Sequence, residues 1–151
     1  MTLGRCRRLL MFGALLAALT SCVGNAATTG AYSGKAHLSA EAAASALQTA
    51  KLAVDSSAKG NLFDSYLEIV LSQAEDDLGS VQQQFDSIQP PNTTEADRIR
   101  DRLDTLLTRA ASILADIRIT ARRDQQAAMI KTAAGIPALA DKFDTFAEAT
   151  A

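Results

Sequence analysis

The chain reads as an all-α domain, an up-down-up-down four-helix bundle preceded by an export segment. Apolar residues recur at helical spacing from Ser39 almost to the end, and no stretch alternates as a strand does. Turn residues at Gly60, Pro90–Pro91 and Asp124 divide this periodic region into four segments of similar length. Such short connections place consecutive helices antiparallel.

The first helix is expected over about Ala40 to Lys59. It is alanine-rich, with Ala44, Leu47, Ala50, Val54 and Ala58 inward, so it packs closely while contributing little apolar area. Gly60 ends it, and Asn61 is placed to cap the next helix, with Asp64 in its first turn.

The second helix carries Phe63, Leu67, Val70, Ala74, Leu78, Val81, Phe85 and Ile88, spaced 4-3-4-4-3-4-3. The extra four-residue step relaxes a left-handed supercoil locally and sets Asp77 close to the seam. Pro90 and Pro91 forbid its continuation.

Thr94 with Asp97 approximates a capping box at the start of the third helix. Its core stripe is Ile99, Leu103, Leu106, Ala110, Ile113 and Ile117, widened by Leu107 and Leu114. Across the turn at Pro91, antiparallel pairing sets Arg118 opposite Asp64 and near Glu68, predicting a structural ion pair. The alternating charges from Asp97 to Asp104 predict a solvated face in which Asp97 and Asp101 meet nearby arginines.

The fourth helix is expected over about Gln125 to Ala149, with Met129, Ala133, Ile136, Ala140, Phe143 and Ala147 inward. Gly135 and Pro137 predict a kink or a split there, because proline removes one backbone hydrogen bond and clashes with the preceding turn. This topology brings Phe85 near Phe143 and Phe146 at one end, and Phe63 and Tyr66 near Ile117, Met129 and Ile130 at the other.

Ahead of the domain, Arg5, Arg7 and Arg8 precede an apolar stretch from Leu9 to Leu19. That is the pattern of a secretory signal, and the stretch is shorter than the roughly 20 residues of a membrane-crossing helix. The segment closes on Leu19-Thr20-Ser21-Cys22, which resembles the lipobox of bacterial lipoproteins. The resemblance implies that residues 1–21 are removed and that Cys22 becomes a diacylglycerol-modified, acylated N-terminus. Of the two cysteines, Cys6 lies in the removed segment, so lipidation also accounts for an otherwise lone thiol in an oxidising compartment. Durable anchoring takes more than one acyl chain, at about 0.8 kcal/mol per buried CH₂. The alanine, arginine and aspartate bias resembles small lipoproteins of high-GC actinobacteria, a group that carries no assigned activity.

Residues 22–38 read as the lipidated N-terminus and a flexible tether, small and polar with three glycines, and residues 39–151 as the bundle domain. His37, the single histidine, is then a solvated tether residue. Loss of Arg5, Arg7 and Arg8 leaves twelve basic residues against 17 acidic ones, a net charge of −5. That balance argues against a nucleic-acid partner.

With no histidine in the expected domain, the Glu-x-x-His pattern of di-iron bundles is missing and a serine or cysteine nucleophile has no positioned base. The expectation is a membrane-anchored envelope lipoprotein that is not an enzyme and uses no cofactor, a binding or structural module. The alternative is a carrier of a small apolar ligand, in a cavity lined by Phe63, Tyr66 and Met129 or by Phe85, Phe143 and Phe146. The basic group Lys59, Arg122, Arg123 and Lys131, at the end away from the anchor, is the candidate surface for an envelope protein or acidic polymer.

Overall fold

The computed structural model describes residues 26–151. The arginine-tipped apolar stretch, the Leu19–Cys22 motif and Cys22 itself lie outside the described residues. The architecture is an all-α bundle: α1 Thr29–Ala58, α2 Asp64–Asp86, α3 Thr94–Arg122, α4 Gln126–Ala133 and α5 Ile136–Thr150. The last two helices together form the fourth limb. None of the described helices is long and apolar enough to cross a membrane.

The first helix takes in the last ten residues of the expected tether. Thr28 caps it, its hydroxyl accepting from the Ala31 amide at 3.1 Å, and Thr29 to Leu38 are helical. The tether boundary at residue 38 is therefore corrected to about Thr28. Gly30 and Gly34 each cost a helix about 1 kcal/mol, which is why the segment reads locally as a spacer. Tertiary burial overrides that cost. Tyr32 and Ala36 are both fully buried and extend a stripe through Ala40, Ala43, Leu47, Ala50 and Val54. Ala58, expected inward, is exposed.

Small side chains on α1 let it approach every other helix, including α3 across the bundle, while α2 packs on α1 and α3 and lies diagonally opposite α4 and α5. This corrects the expected meeting of Phe85 with Phe143 and Phe146. Phe85 packs instead on Tyr32, their ring centroids 5.5 Å apart, and Phe143 and Phe146 are buried as part of the common core. At the other end, Phe63 is 86 % exposed and Tyr66 56 % exposed, so neither joins Met129 in the interior. Phe63 occupies the position capping α2, without a side-chain hydrogen bond, in place of the expected Asn61.

Thr93, one residue before the expected cap, closes the start of α3 by accepting from the Ala96 amide at 3.2 Å. The charged face of α3 pairs Glu95 with Arg98 and Arg100 with Asp104, at 3.4 and 3.8 Å, rather than through Asp97 and Asp101. Asp77 is exposed beside the seam and accepts from Gln73 Nε2 at 3.0 Å.

The fourth limb splits. Gly135 caps α5 and Pro137 falls in its first turn, where a missing amide hydrogen has no intrahelical partner to lose.

Candidate functional site

The two turns at one end of the bundle are built alike. After α1, Asn61 N donates to Ser56 O and Gly60 N to Ser57 O, both at 2.9 Å, with Gly60 at φ +73°. After α3, Gln125 N donates to Thr120 O at 3.0 Å and Asp124 N to Ala121 O at 3.1 Å, with Asp124 at φ +53°. Both are Schellman motifs that use a left-handed residue to satisfy the last carbonyls. Glycine adopts that conformation freely, whereas Asp124 holds it against its Cβ.

Between these turns opens a cleft of about 260 Å³, lined by Ser57, Asp64, Leu67, Ala121, Asp124, Gln126 and Met129. The candidate basic residues surround this region. Lys59 and Arg123 occupy the C-caps of α1 and α3, and Arg122 is the last residue of α3, so all three complement helix dipoles. Lys131 lies further along, in the last turn of α4. The cleft walls carry Asp64 and Asp124, so the positive residues border an acidic opening.

The expected ion pair is corrected. Arg118 does not pair with Asp64 or Glu68; it pairs with Glu75. Its Nε donates to Oε2 and its Nη2 to Oε1 at 3.3 Å, a two-pronged bridge between α3 and α2. Both side chains are only about one-quarter exposed, at 25 and 28 %. The bond to Glu75 raises the Arg118 pKa further above its ordinary value. The expectation failed because it fixed the register on Pro91. The helices instead end at Asp86 and begin again at Thr94, and across this longer connection the residue facing Arg118 moves from Asp64 to Glu75, about three turns along α2.

At the opposite end, α1 side chains close off the C-terminal helix. Ser33 Oγ donates to Thr150 O at 2.8 Å, and His37 Nδ1 donates to Ala147 O at 2.9 Å. His37 Nε2 lies 3.5 Å from Glu41 Oε2. The single histidine is therefore part of the packed domain and holds the orphan carbonyls of α5. Thr29 and Thr93 meet through their hydroxyls at 3.2 Å, tying the start of α1 to the start of α3.

Tyr32 is fully buried there, and its hydroxyl has no protein hydrogen-bond partner. Burial pushes its phenol up to about 12, with Arg100 opposing and Asp104, Asp86 and Asp97 reinforcing. Burial likewise raises the pKa of Asp104, with Asp86 adding to it. Arg102 covers the Phe146 ring at 5.6 Å from its centroid.

Sequence periodicity missed the roles of Tyr32 and His37. Glu75 carried a usable signal, since it lies on the same helical face as Glu68. Among the described residues, no three His, Cys, Asp or Glu side chains converge as metal ligands would. No protein-family model, no curated protein and no solved structure matches the chain.

Proposed function

We propose that this chain is a lipid-anchored module of the cell envelope, held to the membrane through Cys22 and acting by binding or by structure rather than by catalysis. The observation that carries the reading is Leu19-Thr20-Ser21-Cys22 behind an arginine-tipped apolar stretch. Two features of the fold support it. The only histidine is engaged with the Ala147 carbonyl, which leaves it a structural task. The early start of α1 also shortens the link to the anchor, with six residues between Cys22 and the first helical residue, Thr29.

Ala26 is already buried in the core and Thr28 caps α1, so three residues, 23–25, separate Cys22 from the packed domain, an r.m.s. reach of about 9–10 Å. On this reading the bundle stands on the membrane by the end that holds the start of α1, the Pro90–Pro91 turn and the C-terminus. The Gly60 and Asp124 turns then project by the length of α1, about 45 Å for its 30 residues. Lys59, Arg122 and Arg123 at those turns offer contacts to an envelope protein or an acidic polymer.

The test is Cys22→Ala in the full chain. Release into the soluble fraction, or accumulation unprocessed, is expected. A wild-type preparation that fractionates as soluble protein with an unmodified Cys22 overturns the proposal.

A further inference from the structure

Among the described residues, the buried polar ones are Ser57 and Thr150. Thr150 returns its hydroxyl to its own helix, donating to Phe146 O at 2.8 Å and Ala147 O at 3.2 Å. Ser57 is only 9 % exposed, yet its side chain makes no hydrogen bond among the described residues, and it lines the cleft of about 260 Å³ between the two Schellman turns. Buried polar groups are ordinarily paired, so this hydroxyl is left to whatever fills the cleft.

Two carboxylates share the cleft wall, Asp64 and Asp124, and neither joins an ion pair among the described residues. The two turns differ at one telling position. After α1 the left-handed residue is Gly60, whereas after α3 it is Asp124, so the strained backbone there carries a carboxylate to the cleft. The remaining wall includes Leu67 and Met129, both buried in the core, which offer a surface for hydrocarbon. Outside stand Lys59, Arg122 and Arg123, all exposed.

We propose that this cleft binds a small zwitterion, an amine and an acid joined by a short hydrocarbon chain, with the ammonium inward. An ammonium has three N–H donors and no acceptor, and the cleft offers it three acceptors in Asp64, Asp124 and the Ser57 hydroxyl oxygen. Leu67 and Met129 take the hydrocarbon. The basic rim repels a second cation and favours an acid group at the outer end of the ligand. A hydrated metal ion would leave the apolar wall unused, and an anion would face the two carboxylates. At about 260 Å³ the cleft lies below the roughly 300–1,000 Å³ of pockets for drug-sized ligands, so its occupant is small. The site belongs to the folded bundle and does not depend on the anchor.

The test is a titration of the full chain, in non-ionic detergent at pH 7, with 6-aminohexanoate, read from the Met129 methyl resonance. Saturation with a dissociation constant of about 1 mM or below is expected. Hexanoate, which lacks the ammonium, should leave the resonance unmoved. Pentylamine, which lacks the acid, should bind about threefold more weakly, as the loss of an exposed charge contact implies. Asp124→Gly should weaken 6-aminohexanoate at least tenfold while the protein melts no lower than wild type, which separates loss of the site from loss of the fold. Ser57→Ala should weaken it severalfold. No shift of the Met129 methyl at about 20 mM 6-aminohexanoate leaves the cleft to water and overturns the proposal. Hexanoate binding as well as 6-aminohexanoate, pentylamine binding equally well, or an Asp124→Gly variant with undiminished affinity overturns it too.

Discussion

Tyr32 gives a test in which opposite signs are expected from two substitutions at one site. Its ring is fully buried against Phe85, while its hydroxyl is buried without a protein partner. Tyr32→Ala removes a core aromatic and should destabilise by about 3–5 kcal/mol. Tyr32→Phe keeps the ring and removes only the unpaired hydroxyl, whose desolvation costs about 1–3 kcal/mol. Stability at pH 7 should therefore rise, by about 1 kcal/mol after allowing for the small void. The same hydroxyl has a pH signature. The unfolded phenol titrates near 10 and the folded one near 12. Below pH 10 both states hold the proton and nothing changes. Above it the unfolded chain loses its proton first, so stability falls as pH rises, by about 2–3 kcal/mol at pH 12. Urea unfolding of wild type and Tyr32→Phe at several pH values isolates this difference from every contribution the two proteins share. Absorbance titration in a Tyr66→Phe background reports the single remaining phenol. A Tyr32→Phe variant less stable than wild type at pH 7, or one with an unchanged alkaline slope, refutes the packing described for this residue.

Glu75→Ala should destabilise by about 1–2 kcal/mol, because it strands the Arg118 guanidinium at a half-buried interface. A double-mutant cycle with Arg118→Met should give a coupling of about 1 kcal/mol, and the same cycle with Glu68→Ala should give none. Coupling to Glu68 in place of Glu75 would restore the register expected from the sequence. Asp124→Gly should stabilise by about 0.5–1 kcal/mol, since glycine holds the left-handed position of that turn without strain. Gly60→Ala should cost a similar amount for the converse reason, as read from thermal melts. Gly79→Ala, in mid-helix with open space around the added methyl, should raise stability by about 1 kcal/mol.

The sequence alone determined the helical class, the four limbs and their turns. Each of these depends on local chemistry: a 3.6-residue apolar period, two adjacent prolines, and a glycine where the chain must turn left-handed. An interruption at Pro137 was legible for the same reason, and that it is a split rather than a kink was not. What tertiary structure decided were matters of partnership. Residues 29–38 have the glycines and polar side chains of a spacer and become helix because Tyr32 and Ala36 find a core to enter, which no local pattern records. His37 became structural only because the C-terminal carbonyls of α5 come within its reach. Arg118 found Glu75 because the α2–α3 connection is longer than its prolines suggest, and an error of about three turns in register exchanges every facing side chain. Which helices touch was also invisible in one chain of residues. Alanine on α1 makes it the element that meets all the others.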